Sequence, residues 1–531
     1  MKRTDNFLTT RKARASLLLL TALFFLAGCQ CVRLEDYRVC DATVDCGDAP
    51  DASLEDDGGI PPPADGGGDG GCVPDGQVDA LDLMGLDTDC DGVDGVMTRQ
   101  LYVDKDRGDD TKAVPGNPSQ PWASIGRALT FAADAGGYDA VLVKSGAYDE
   151  LDVEWAANVD IWGGRSGTGT WAPTPSMSNL RGGRVALFIR GVQGRTLRGF
   201  QVRAAAGPNA SIGVFCDSSS PRFVDVQFYA AEGGAGVAGE TEVFPDAGPG
   251  RVGNGGVASG FTDNIGPPGV CGGDPGLAGG AAGESKSSSG HVGEGPFGGA
   301  PGRPPTTSCN VPSGQAGSGG EGDAGVDGIA GPSATDFGVM GDKLAWTGAD
   351  GLAGGFGGTG KPGSGGGGGG APNNGRSDSS SGGSGGSGGC PGARGLGGRS
   401  GGPSLGLMVR SGRPFIGEDA FIFSAAGGNG GAGGPPGTGL LGGAGGGAGP
   451  PPSNPECVPL PYGTGGPGGR GGRGGSGGRG GGGAGGHSFA IFCDLDGGFE
   501  LDGGTLQAGA AGMGAGGARA GASAIAQGCA P

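Results

Sequence analysis

Histidine is nearly missing from this 531-residue chain, which carries only His291 and His487. Two imidazoles are too few for a multi-histidine metal centre, and they exclude most histidine-based acid–base chemistry. Aromatic residues make up 6 % and hydrophobic residues 35 %, too little apolar surface for one core spread evenly through the chain. Positive charge is also scarce: 35 Lys and Arg face 54 Asp and Glu, for a formal charge of −19. That is the wrong sign for nucleic-acid binding, which needs a basic face. Beyond the N-terminal region no apolar run is long enough to cross a bilayer. Glycine takes the space instead, with 136 residues beside 38 prolines, against an ordinary glycine share of ~7 %. Such a level calls for a concentration of glycine somewhere, with a better-packed part elsewhere.

Residues 1–28 read as an export signal. Lys2, Arg3, Arg11, Lys12 and Arg14 form a positive n-region, and Ser16 to Leu26 a short apolar stretch, below the ~18–20 residues of a spanning helix. The segment ends in Leu26-Ala27-Gly28-Cys29, which resembles a bacterial lipobox. The resemblance implies cleavage before Cys29 and acylation (palmitate) of that cysteine as the only anchor. With Gln30 next, it also implies residence in the outer membrane. Residues 29–76 follow, acidic and rich in Pro and Gly; they bury too little to offset chain entropy and are expected to form a disordered tether. Thirteen cysteines in an exported chain imply disulfides. With Cys29 acylated twelve remain, and spacing suggests Cys40–Cys46 and Cys72–Cys90 as local pairs; the rest of the connectivity stays open.

Residues 77–100 contain Asp87-Thr88-Asp89-Cys90-Asp91-Gly92-Val93-Asp94. Carboxylates at alternate positions, then a glycine for a sharp turn, can wrap several oxygens around a hard cation. Asp87, Asp89, Asp91 and Asp94 are therefore candidate calcium ligands. The run resembles the first half of an EF-hand loop or a thrombospondin-type calcium repeat. The twelfth EF-hand position is Thr98 and not a glutamate, so a true EF-hand is not expected, and a solvated acidic turn is the competing reading.

From Leu101 the pattern becomes that of a folded domain. Short β runs at 101–103, 141–143, 151–153 and 159–161 surround residues 122–135, which place Trp122, Ile125, Ala128, Leu129 and Ala132 on one helical face. The order YVDKDRGDD…NPSQPWASIGRAL…YDAVLVKSGAYDE resembles the opening of pectin-lyase-like proteins. The resemblance covers about residues 101–153 and implies an all-β fold, a right-handed parallel β-helix whose N-terminal helix caps the first coil.

Self-comparison points the same way. SIGVFCDSSS (211–220), SLGLMVRSGR (404–413) and SFAIFCDLDG (488–497) align, and Val185–Arg190 fits their register. Alternation makes Val185, Leu187, Ile189 and their equivalents through Phe489, Ile491 and Cys493 the expected interior. Arg190, Asp217, Arg410 and Asp494 fall at one outward position and are expected to alternate in charge from coil to coil. Cys216 and Cys493 occupy equivalent positions two coils apart, roughly 10 Å, so they are not expected to bond to each other.

The coils are thus expected at 101–231, 404–426 and 488–531, with insertions at 232–403 and 427–487. The insertions hold 61 and 31 glycines. Gly348, Gly351, Gly354, Gly357, Gly360 and Gly363 recur every third residue, and 465–480 repeats GGx with Arg470, Arg473, Ser476 and Arg479 at x. A period of three is that of polyproline II, so one expectation is a bundle of extended glycine helices, stapled by cysteines among Cys271, Cys309, Cys390 and Cys457; the other is a flexible loop. The arginine stripe could meet an acidic glycan, and its better match is the acidic chain itself. No cluster of aspartates with a Lys or Arg base emerges from the aligned coils. The expected function is non-enzymatic: a surface-exposed lipoprotein presenting Gly-rich loops for adhesion, surface structure or binding of a polysaccharide or other cell-surface ligand. A polysaccharide lyase or hydrolase on the same scaffold is the alternative.

Overall fold

The computed structural model describes residues 79–82, 85–242, 248–257, 264–269, 271, 276, 289–303, 315–336, 338–341, 344–370, 379–451 and 463–530. The export signal, Cys29, the tether and Cys31, Cys40, Cys46, Cys72, Cys309 and Cys457 lie outside the described residues.

The short alternating runs pair into two long parallel sheets. The first takes β1 (Gln100–Val103), β2 (Ala140–Lys144), β5 (Asp160–Arg165), β8 (Gln193–Arg203), β10 (Ser220–Ala230), β14 (Phe415–Ile416) and β17 (Glu500–Leu501) in that order. β3 (Gly146–Asp149) joins it through β6 (Ser178–Arg181), which pairs with β8; β15 (Phe421–Ser424) and β18 (Thr505–Ala508) extend it beyond β10. The second takes β4 (Val153–Trp155), β7 (Val185–Arg190), β9 (Ser211–Asp217), β13 (Ser404–Gly412), β16 (Ser488–Gly497) and β19 (Ser523–Gln527). The chain passes back and forth between the two sheets, and each return adds a strand beside the previous one. The aligned repeats are direct neighbours: Val185 pairs with Ile212, Ile212 with Leu405, and Leu405 with Phe489.

Between the sheets lies the main core. Leu187, Ile189, Val214, Cys216, Leu407, Val409, Ile491 and Cys493 all bury there against Phe200, Val202, Phe223, Val226 and Phe228. Each such aliphatic or aromatic side chain contributes about 1.5–3 kcal/mol on full burial. The first member of each repeat departs from the expected interior. Val185, Ile212, Leu405 and Phe489 are buried, but in a second cluster with Phe215, Met408 and Leu344. At the next position, filled by Ala186, Gly213, Gly406 and Ala490, the pairing skips a residue, and Ala186 and Ala490 face the main core instead. A Cβ on Gly213 would lie 2.4 Å from the Gly406 carbonyl oxygen, so the neighbouring strands close up only over small residues. A two-stranded antiparallel hairpin, β11 (Val339–Met340) with β12 (Trp346–Thr347), brings Met340 and Leu344 to this second cluster.

The single α-helix among the described residues, α1 (Ile125–Ala135), buries Ile125, Ala128, Leu129 and Ala132 in the main core. Two acidic residues of the opening motif hold its start. Asp110 accepts the N–H groups of Ala123 and Ser124 at 2.9 and 3.0 Å, and Glu150 accepts those of Ile125 and Gly126 at 2.7 and 2.8 Å. Carboxylates here satisfy the otherwise orphaned first-turn donors and favour the positive end of the helix dipole.

The described parts of the glycine-rich segments are cross-bonded, and they are not sheets. Segment 463–486 accepts bonds from a parallel neighbour: Gly322 N–H to Arg470 O at 2.8 Å, Gly325 to Arg473 at 2.8 Å, Gly328 to Ser476 at 2.8 Å and Gly331 to Arg479 at 2.7 Å. It accepts from a second, through Gly386, Gly389, Gly392 and Gly395, and donates to a third from Gly472, Gly475 and Gly478, reaching Lys361, Gly358 and Gly355. A fourth neighbour takes bonds from Gly471, Gly474 and Gly477 at Gly443, Leu440 and Gly437. A sheet strand has two hydrogen-bonded neighbours; this segment has four, and each ladder advances by three residues. That is the repeat of a threefold extended helix.

The composition follows from this packing. A Cβ on Gly475 would lie 2.0 Å from Val326 O, and one on Gly472 would lie 1.9 Å from Asp323 O. The x positions point outward, with Arg470, Arg473 and Arg479 exposed between buried glycines. Arg473 turns to the bundle itself and donates to the Gly439 carbonyl at 3.0 Å. In the GGS repeat of 381–389 the buried Ser381, Ser384 and Ser387 hydroxyls accept the N–H groups of Val257, Asn254 and Arg251. Among the described residues the expected cysteine staple is Cys271–Cys390, with Cα atoms 5.6 Å apart.

Candidate functional site

The acidic segment before β1 brings Asp79, Asp87 and Asp89 together, each offering a carboxylate oxygen within 4.8 Å of the others. This group could hold a metal ion. Each carboxylate also orders the loop: Asp79 accepts the Gly95 N–H at 2.6 Å and the Thr88 hydroxyl at 2.7 Å. Asp87 accepts from Gly92 at 2.9 Å, and Asp89 from Asp91 at 3.1 Å. Three carboxylates are a minimal donor set for a cation that takes 6–8 oxygens, so backbone carbonyls or water would complete the shell.

The other two candidates, Asp91 and Asp94, are not members of that three-carboxylate group, although Asp87 and Asp89 both hold the Asp91 N–H. Asp91 accepts the N–H groups of Val93 and Met97 at 3.1 and 2.8 Å. Asp94 is fully buried and forms an ion pair with Arg165 at 3.0 Å, while also accepting the Asp82 N–H. Burial pushes the Asp94 carboxyl up and the Arg165 guanidinium down, and their pairing opposes both shifts. Spacing around residue 90 did not single out Asp79, because its approach depends on the chain turning back to a residue eight positions before Asp87. Cys90, at the centre of the motif, is disulfide-bonded.

On the outward row of the second sheet, charge alternates as expected from the repeat. Arg190 pairs with Glu154 at 3.3 Å and Arg410 with Asp494 at 3.8 Å. Arg190 also stands in register beside Asp217. Partly exposed pairs of this kind contribute ~0–1 kcal/mol, enough to favour one register. Of the two equivalent cysteines, Cys216 is a buried free thiol, and Cys493 bonds to Cys529 with Cα atoms 4.6 Å apart. Burial pushes the Cys216 thiol well up, which keeps it from being a nucleophile.

Where the hairpin meets the second sheet, a cavity of about 200 Å³ is lined by Met340, Trp346, His487, Phe489, Phe492 and Asp494. The Trp346 indole N–H donates to Gly401 O at 3.0 Å, and its ring stands edge-on to His487 at 5.6 Å. His487 Nδ1 accepts the Ala522 N–H at 2.9 Å. Burial lowers the His487 value below its ordinary 6.5, so the unfolded chain binds a proton more readily than the folded one. Between the lowered folded value and about 6.5, stability therefore falls as pH falls. Melting temperatures recorded from pH 7.5 down to 5 are expected to drop, and His487→Gln, which cannot take the proton, is expected to lose part of that drop.

Comparison of the chain with protein-family models, with curated proteins and with solved structures finds no match in any of the three.

Proposed function

We propose that this chain is a non-enzymatic, lipid-anchored outer-membrane protein in which a right-handed parallel β-helix carries a rigid polyglycine-II-like bundle, serving adhesion, surface structure or glycan binding. The observation that carries the reading is the four-neighbour hydrogen bonding of segment 463–486. A flexible loop would leave those amides to water, whereas a cross-bonded bundle is a stiff projection with regularly spaced side chains. The β-helix reading rests on the strand order of the two parallel sheets and on the register of the repeats. The anchor rests on Leu26-Ala27-Gly28-Cys29. Calcium is the proposed ion for Asp79, Asp87 and Asp89, hard oxygen donors that suit it.

The purified mature protein, incubated with acidic and neutral polysaccharides in calcium, tests the reading. Saturable binding without turnover is the expected result, and cleavage of any of them would establish the lyase or hydrolase instead. In the same preparation, 1 mM calcium is expected to raise the melting temperature of the native chain but not of Asp89→Asn. Mass analysis of the membrane-extracted protein is expected to show an acylated Cys29 at the N-terminus.

A further inference from the structure

A cavity of about 210 Å³ opens where the glycine bundle meets the second sheet, and its lining includes Asn209, Trp346, Thr347, Asp350, Arg399 and Ser400. Three separate stretches build it. Asn209 lies in the loop between β8 and β9, Trp346 and Thr347 form β12 and lead on to Asp350, and Arg399 and Ser400 end another bundle segment. The stretches are packed closely: a Cβ on Gly402 would overlap the Asn209 carbonyl oxygen, and one on Gly348 the Ser400 hydroxyl. The Trp346 indole is held by its bond to Gly401 O at 3.0 Å. Asp350 is held through one carboxylate oxygen, which accepts the Ser400 N–H at 2.7 Å. The walls are therefore set before any ligand arrives.

The polar groups of the lining are within reach of a ligand. Asn209, Thr347, Asp350 and Arg399 are exposed, and Trp346 and Ser400 are half-buried. The Asn209 amide, the Thr347 hydroxyl, the Arg399 guanidinium and the second Asp350 oxygen have no hydrogen-bond or ion-pair partner among the described residues. The charges of the lining balance, one carboxylate against one guanidinium, so the cavity favours neither an anion nor a cation. What it offers is a mixture of donors and acceptors beside one aromatic ring.

We propose that this cavity binds one neutral hexopyranose unit of a polysaccharide, its C–H surface against Trp346 and its hydroxyls bonded to Asn209, Asp350 and Arg399. A sugar hydroxyl both donates and accepts, and the lining answers both: Asp350 accepts, Arg399 donates and Asn209 does either. The aromatic wall covers the less polar surface of the ring. The volume falls below the ~300–1,000 Å³ of sites for drug-sized ligands, so it holds one sugar ring. A wholly apolar ligand would desolvate these polar groups without bonding them. A uronate would lose at Asp350 what it gains at Arg399. The inference rests on the glycan-binding part of the function proposed above and gives it one site.

The test follows the five indole 15N–1H signals of the mature chain, with Trp346→Phe assigning the one that belongs to Trp346. Methyl glycosides of glucose, galactose and mannose are titrated in turn. Sodium glucuronate against sodium chloride at constant ionic strength is a separate arm. At least one glycoside is expected to shift the Trp346 signal saturably while the other four signals stay in place. In Asn209→Ala/Arg399→Gln, where both replaced side chains are exposed, the affinity for that glycoside is expected to fall roughly tenfold or more. Unmoved signals from the other four tryptophans show that fold to be intact. No saturable shift with any of the three overturns the proposal, as does tighter binding of glucuronate or binding that survives the double variant. If polysaccharides bind the protein while the Trp346 signal stays still, this site fails and the broader reading stands; if neither occurs, both fail.

Discussion

Gly475→Val is expected to be among the most destabilising single substitutions in the chain, costing about 3–5 kcal/mol, the upper end of what point changes do. The Cβ would sit 2.0 Å from Val326 O and 2.5 Å from its carbonyl carbon. Both atoms are backbone, so no side chain can swing away. To relieve the overlap the two segments must separate, which breaks the bonds between them, Gly325 N–H to Arg473 O and Gly328 N–H to Ser476 O, each 2.8 Å. Gly447 provides the contrast. A Cβ there meets nothing within 4 Å, and its φ is not in the left-handed region. Gly447→Ala is therefore expected to be neutral or slightly stabilising through the unfolded chain. Denaturant titration of both variants, monitored by circular dichroism, checks the pair; equal midpoints would mean that the segments do not pack as described.

Asp94→Ala is the second large effect, about 3–5 kcal/mol. The residue anchors the acidic segment to β5, because its partner Arg165 is only 1 % exposed. Removing the carboxylate leaves a buried guanidinium whose remaining described hydrogen bond goes to Trp171 O at 3.3 Å. The loss also frees the Asp82 N–H. The double variant Asp94→Ala/Arg165→Met is expected to recover much of the stability, since it removes the stranded charge along with its partner. If the single and double variants unfold at the same midpoint, the damage comes from the loop and not from the charge. In this arrangement the Asp94 oxygens serve the fold, one accepting from Arg165 and the other from the Asp82 N–H.

Much of the scaffold can be read in the residues because sheet stacking leaves a period-two signature that repeats. SIGVFCD, SLGLMVR and SFAIFCD align in sequence and pair in space. The same logic separated Cys216 from Cys493. It failed at Val185, Ile212, Leu405 and Phe489, since strict alternation does not foresee the skipped pair at Ala186, Gly213, Gly406 and Ala490. The glycine period of three is equally local and suggested extended helices beside a flexible-loop alternative, but which segment lies beside which depends on long-range packing. The acidic site was half legible. Asp87 and Asp89 sit in the motif, whereas Asp79 and the diversion of Asp94 to Arg165 arise from contacts across 8 and 71 residues, which no spacing rule reports. The cavity beside Trp346 carries no sequence mark, because Asn209, Asp350 and Arg399 come to it from three separate stretches.

Amide hydrogen exchange across residues 351–364 tests the central claim, that the glycine segments form a cross-bonded bundle. Gly351, Gly354, Gly357, Gly360 and Gly363 donate to one neighbour, and Leu352, Gly355, Gly358, Lys361 and Ser364 to another, while Ala353 and Thr359 take part in neither ladder. Strong protection at two residues of every three, with fast exchange at Ala353 and Thr359, is the predicted result. Uniform exchange at the rate of an unstructured chain would contradict the bundle and return these segments to flexible loops.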